Sequence, residues 1–395
     1  MDRTKWLQDR RMKKFTDVFG RWKEKKLSGA EAAQLLGMSE RSFRRYRRRF
    51  EEDGMAGLAD GRLGKSSPKR AAVTQIEWML EQYRRHYTGW TVKHFHEHLQ
   101  KRHAFNWGYT WTKTQLQAAG LVDRAKLRGA HRRKRPRKPC EGMMLHQDAS
   151  RFAWLADQNE LDLVVTMDDA TSKIYSAILV EEEGTVSTFQ ALLEVFACKG
   201  LPASFYTDRG SHYFWTPKTG EAVDKERLTQ VGRALRQLGV EHIPAYSPQA
   251  RGRSERTFGT LQDRLPKELA LAGIKTVEEA NRYIRDVFLP EHNARFAKPA
   301  ELPESAFVRV GDLRTLIECL CIEVERVVGR DNTIAFEGLK LQLPESPLRA
   351  HFVRANVKVR VYPDATLAVF HGPRCIARYT PTGELVSPQK DRLAA

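Results

Sequence analysis

Between residues 143 and 267 short apolar runs give way to amphipathic stretches, and that order limits the class of fold available. Residues 143–148, 161–168 and 174–180 read as three successive strands, each a compact apolar run closed by polar residues. Val186, Phe189, Leu192, Leu193 and Phe196 then recur at helical spacing, so 184–198 is expected to be a helix. A fourth strand over 203–208, a helix over 225–238, a short strand over 240–243 and a helix over 249–267 follow. Strands in a row, then strands alternating with helices, predict a mixed α/β sheet.

Two of these strands end in an acid, Asp148 and Asp208, and the last helix carries Glu255. Three carboxylates gathered at one sheet edge repel one another unless cations bind, so an oxygen-rich divalent site is the natural resolution. Two such ions suit phosphoryl transfer. For any one strand-end aspartate alone, capping a turn is the simpler role. Asp168 and Asp169 compete as ligands. They sit at the far end of an antiparallel neighbour, however, which favours a turn role for them. Arg251, Arg253 and Arg256 surround Glu255, and phosphate contacts are expected of them.

The N-terminal third differs in charge. Residues 1–140 hold 35 Lys and Arg against 14 Asp and Glu, a net of +21, whereas the remainder is at −3, against +18 for the whole chain. Basicity so concentrated points to a polyanion, with double-stranded DNA the leading candidate. Residues 30–50 read as two short helices around Gly37, with Ser39 as N-cap. The second helix sets Phe43, Tyr46 and Phe50 on one face and arginines elsewhere, the pattern of a recognition helix. Arg41, Ser42 and Arg45 would then face base edges, with Arg44 and Arg48 also on the DNA side.

A second, less distinct helix-turn-helix is expected after a Gly- and Ser-rich linker. Its helices should start at a capping box on Thr74 and Glu77, near Thr91, and at about Trp111, the last presenting Lys113 and Gln115. Among His94, His96 and His98 only the first and third share a helix face, and no cysteine pair is near. Zinc is therefore disfavoured, and surface or phosphate-facing histidines are expected. Nine Lys and Arg and no acid lie between Arg124 and Lys138, including Arg132, Arg133, Lys134 and Arg135, which reads as a tether along a phosphate backbone.

At 395 residues, two to four domains are expected. Their bounds read as 1–60 and 61–123 (helix-turn-helix units), 124–140 (basic linker), 141–300 (α/β core) and 301–395. The last segment holds short, regularly spaced strands separated by turn residues, which predicts a small antiparallel β-barrel. Cys319 and Cys321 lack a second pair and are expected to be buried residues. No run of about 18 apolar residues occurs, so no membrane helix is expected. Five scattered cysteines suit a reducing cytoplasm, and the basic charge suits association with the nucleoid.

The segments Leu145-His-Gln-Asp148-Ala-Ser-Arg-Phe-Ala-Trp154, Tyr206-Thr-Asp208-Arg-Gly-Ser211 and Tyr246-Ser-Pro-Gln-Ala-Arg-Gly252-Arg-Ser-Glu255-Arg256 resemble the three signature blocks of bacterial insertion-sequence transposases with an integrase-type core. The likeness is closest to the unclassified group with a long C-terminal domain. It implies a ribonuclease-H-like fold and DDE chemistry on two Mg²⁺ ions held by Asp148, Asp208 and Glu255, with Mn²⁺ a possible substitute. It also implies binding to terminal inverted repeats, strand cleavage, 3′-OH transfer into target DNA, and homo-oligomers on DNA. The chain departs from the pattern in a longer gap between the second and third acids, in Arg209 and Arg251 at frequent asparagine positions, and in Gln262 where a basic residue is common. A domesticated DNA-binding regulator without catalysis is the alternative, and a nuclease of hybrids fits the core but not the two helix-turn-helix units.

Overall fold

The computed structural model describes residues 3–60, 70–124, 136–217, 223–224, 226–246, 248–345 and 349–386, without the side chains of 3–5 and 248–251. The chain divides into two compact units, Met1–Arg84 and Arg85–Ala395.

In the first unit α1 (Arg3–Lys23), α2 (Gly29–Leu36), α3 (Glu40–Asp53) and α4 (Met55–Leu58) enclose a small core of Phe15, Val18, Phe19, Ala32, Ala33, Phe43 and Leu58. Ser28 and Glu31 form a reciprocal capping box that starts α2. Gly37, at φ 66°, takes the left-handed conformation that turns the chain into α3, where the Ser39 side chain accepts from Ser42 N–H. The two short helices and their turn stand as expected. Helix α1 has no counterpart among the expected elements, although Phe15, Phe19 and Trp22 already mark its buried stripe. Helix α5 (Val73–His86) runs across the division between units. It begins one residue before Thr74, so that residue lies inside the first turn rather than capping it.

The second unit opens with α6 (Val92–His103) and α7 (Tyr109–Ala118). Then come β1 (Leu145–Phe152), β2 (Leu161–Asp168), β3 (Ile174–Val180), α8 (Thr185–Lys199), β4 (Ser204–Thr207), α9 (Gln230–Gln237), β5 (Glu241–Pro244) and α10 (Pro248–Leu271). The sheet order is β3-β2-β1-β4-β5, with β1, β2 and β3 antiparallel and β4 and β5 parallel to β1. This is the mixed α/β sheet that the pattern predicts. Two expectations need correction. Strand β1 does not end at Asp148: its ladder with β2 continues to Phe152↔Leu161. Helix α9 starts at Gln230, not 225, because the Thr229 hydroxyl caps it and the Asp224 carboxylate holds the Glu226 and Arg227 amides in a turn.

One face of the sheet packs Leu163, Val165, Met167 and Leu179 against Phe258, Leu261, Leu265 and Leu269 of α10. It also meets α11 (Val277–Tyr283), which passes through a π-helical turn, Ile284–Phe288, into α12 (Leu289–Phe296). The other face packs Leu145 and Phe205 against α8, α9 and α13 (Leu313–Cys319).

The remaining strands are β6 (Ile322–Val327), β7 (Thr333–Phe336), β8 (Leu339–Gln342), β9 (Asn356–Val361), β10 (Leu367–His371), β11 (Arg374–Tyr379) and β12 (Leu385–Val386). They form an antiparallel sheet in the order β12-β11-β10-β9-β6 and a separate β7-β8 ribbon. No ladder among the described residues closes this sheet, so the expected barrel is corrected to an open sheet with a ribbon over a shared core that includes Ile334, Phe336, Val359 and Val369. Cys321 is buried, as expected, whereas Cys319 is only half-buried. No described helix is long and apolar enough to cross a membrane.

Candidate active site

Strand β1 pairs with β4 only at Leu145↔Phe205 and His146↔Tyr206, while its ladder with β2 runs its whole length. Beyond His146 the β1–β4 ladder does not continue among the described residues. Extending the parallel register by two residues sets Asp148 level with Asp208, which directly follows β4. Asp148 is 9% exposed, and its Oδ1 accepts the Ala149 amide at 3.1 Å. Asp208 is half-buried, and its Oδ1 accepts the Gly210 amide at 2.8 Å in a tight turn.

Glu255 comes from α10. Gln262 Nε2 donates to Ser150 Oγ at 2.8 Å, and Arg253 reaches Asp169 beside the start of β1, so α10 runs alongside β1 in the same direction. Gln262 lies seven residues after Glu255, two helical turns on, and shares its face. Ser150 lies two residues after Asp148 and shares its face of the strand. The exposed Glu255 is thereby turned to the stretch of β1 that holds Asp148. Among the described residues, the set of three metal-ligating side chains whose donor atoms all lie within 4.8 Å of one another is His94, His98 and Glu268.

Behind the acids lies a network that sequence reasoning missed. Asp169 is fully buried, and its Oδ1 lies 2.7 Å from His146 Nε2 and takes a bond from Arg253. Its Oδ2 accepts the Lys138 amide at 2.7 Å. Burial alone would raise its pKa, but the His146 and Lys138 hydrogen bonds and the Arg253 charge outweigh that and hold it well below the carboxylate range. Arg253, expected to contact phosphate, is thus placed against Asp169. Nothing local in the sequence links the two, which are 84 residues apart. Asp168 takes a turn role, accepting the amides of Gly142 at 3.0 Å and Thr171 at 2.8 Å.

Arg41, Arg44, Arg45 and Arg48 are exposed on α3, where Arg44 pairs with Glu40 at 2.9 Å and Arg48 approaches Glu52 at 3.8 Å. Ser42 is half-buried and bonds Ser39 Oγ at 3.1 Å. Lys113 and Gln115 are half-buried on α7, and Arg256 is exposed. Arg132, Arg133, Lys134, Arg135 and the side chain of Arg251 lie outside the described residues.

The histidines of α6 are not on the surface as expected: His94, His96 and His98 are 1%, 4% and 7% exposed. Helix α6 is covered on two sides. His96 Nδ1 meets Thr112 Oγ1 of α7 at 3.2 Å, while His94 and His98 both turn to Glu268 of α10.

Residues 21–75 match the winged helix-turn-helix family. The chain is 30% identical over 349 residues to the transposase y4bF of Sinorhizobium fredii, covering 87% of this chain and 75% of that one. The chain belongs to the insertion-sequence transposases. A second relative of this transposase, that for insertion sequence IS1202 of Streptococcus pneumoniae, is 30% identical over 56% of this chain and 46% of its own length. The HTLV-2 integrase catalytic core domain in complex with magnesium, in its trimeric form, covers 37% of this chain and 85% of that one at 16% identity, with a TM-score of 0.28. A simian T-cell lymphotropic virus intasome with a PP2A regulatory subunit covers 79% and 100% at 15% identity, with a TM-score of 0.31.

Proposed function

We propose that this transposase binds the inverted repeats at the ends of its element, cleaves a strand there and joins the freed 3′-OH to target DNA, with Asp148, Asp208 and Glu255 as its catalytic carboxylates. One observation carries the reading: the parallel β1–β4 register, extended by two residues, brings Asp148 level with Asp208 just after β4, and Glu255 lies on a helix whose matching face is tied to β1 by Gln262 and Ser150. Strands β1, β2 and β3 antiparallel with β4 and β5 parallel also suit a ribonuclease-H-like core.

The donor set is all hard oxygen, which fits Mg²⁺, or Mn²⁺ in its place, better than a softer ion. Two divalent ions bound there would activate the attacking oxygen and stabilise the leaving one. The chain's own residues do the positioning. The long β1–β2 ladder fixes Asp148, the Gly210 amide orients Asp208, and the Asp169–Arg253 pair anchors the first turns of α10 below Glu255. The exposed arginines of α3 supply phosphate and base contacts, and Arg256 beside Glu255 supplies a phosphate contact near the reacting strand. Lys113, Gln115 and the basic segment before residue 136 extend the DNA surface, and the protein acts as a homo-oligomer on paired element ends.

The test is strand transfer on a labelled repeat with Mg²⁺. Alanine at 148, 208 or 255 should abolish the product while repeat binding persists. Transfer at the unaltered rate by any one variant removes that residue from the set.

A further inference from the structure

Helices α6 and α10 meet at a cluster the carboxylate site does not use. His94 Nε2 and His98 Nε2 each lie 2.7 Å from Glu268 Oε1. The i, i+4 spacing of the histidines is the one by which a single helix offers two ring nitrogens to one ion. All three donor atoms fall within 4.8 Å of one another. The rings are held in place: Trp90 stacks on His94 at 4.0 Å and meets His98 edge-on at 4.7 Å. A cavity of about 420 Å³, lined by His94, His98, Glu268, Arg264 and His292, opens beside them and has room for water.

Two imidazoles and a carboxylate, with the cavity leaving a fourth position open, are a zinc-type ligand set. Glu97, also on α6, is occupied by Arg264 at 2.8 Å and by Arg295, so no general base faces the cavity from that position and the site is suited to holding rather than to hydrolysis. We propose that His94 Nε2, His98 Nε2 and Glu268 form a zinc-class divalent-metal site, completed by water, that pins α6 to the helix carrying Glu255. Both Nδ1 atoms are buried without a hydrogen-bond partner. Metal-bound histidines usually have such a partner, and its loss weakens binding by about 10- to 100-fold, so the affinity should be moderate.

The experiment is calorimetric titration of Zn²⁺ into the full chain carrying Asp148→Asn and Asp208→Asn, which takes the carboxylate site out of play. One ion per chain should bind, Co²⁺ should compete and give a visible absorption band, and adding Glu268→Gln should weaken binding at least about 100-fold. No Zn²⁺ uptake in the double variant, or unchanged affinity with Glu268→Gln, overturns the proposal. Should Glu268→Gln fail to fold, the Co²⁺ band in the double variant decides alone, its absence counting against the site. Loss of strand transfer in Asp148→Ala with Zn²⁺ uptake intact would separate this site from the carboxylate reading.

Discussion

Helix α10 serves two clusters thirteen residues apart, and they are built on opposite principles. Near its start Glu255 is exposed, on the face of the helix that Gln262 ties to β1. Near its end Glu268 is mostly buried and drawn to within 2.7 Å of two imidazoles. Like charges repel until something cationic joins them, whereas a carboxylate and imidazole N–H groups hydrogen-bond unaided. A set of acids and a tight knot of mixed donors can both take a cation, but only the knot is drawn together before an ion arrives.

The comparison breaks first at the acids. Asp148→Ala and Asp208→Ala should each lower the strand-transfer rate on the order of 10³-fold, read in a gel assay, with mobility shifts on the repeat unchanged. A drop under tenfold would mean the acids are not where chemistry happens. Next in size, Arg253→Ala leaves Asp169 buried without its guanidinium and should cost about 3 kcal/mol in urea unfolding. If Arg253 instead serves only DNA, stability will hold and repeat affinity will fall.

The buried end of α10 should also answer to acid. Burial, helped by the Arg264 charge, holds His292 at about 4, below its unfolded value near 6.5. The unfolded chain then takes up the proton first. Stability is full above about pH 6.5 and falls as pH drops towards 4, by at most about 1.4 kcal/mol per pH unit from this residue. Urea midpoints at pH 7.5 and 5 should differ accordingly, and His292→Phe should flatten part of that difference. Smallest of all, Arg41→Ala or Arg45→Ala should weaken repeat binding modestly. A lost phosphate contact reduces the salt slope by about one, and a lost base contact relaxes specificity at one position.

What is legible in the sequence follows the range of the forces involved. Strands β2 and β3 match their expected bounds because each is an apolar run with polar ends, and Ser39 with Gly37 announces α3 through purely local hydrogen bonding. Strand β1 outruns its expected bound because Asp148 has the character of a strand end. Its continuation depends on β2 lying beside it, which composition does not reveal. The burial of His94 and His98 escapes sequence reasoning for the same reason, since their partner Glu268 is 170 or more residues away. Of the three acids, Asp208 does follow the end of its strand as its position suggests, Asp148 lies within β1 rather than at its end, and Glu255 is singled out by the resemblance alone.

The short segment after residue 300 decides how this protein can be taken apart. Val308 exchanges both backbone hydrogen bonds with Leu201, at 2.7 and 2.9 Å, and Ala306 donates to Glu141. Gly200, at φ 104°, lets the Val308 carbonyl come so near that a Cβ there would sit 2.4 Å from it. Leu316 and Leu320 complete the apolar layer under β1 and β4. A fragment ending at 300 would expose that layer and be poorly soluble, and exchange of C-terminal segments between related transposases should succeed only when the junction falls beyond Leu320.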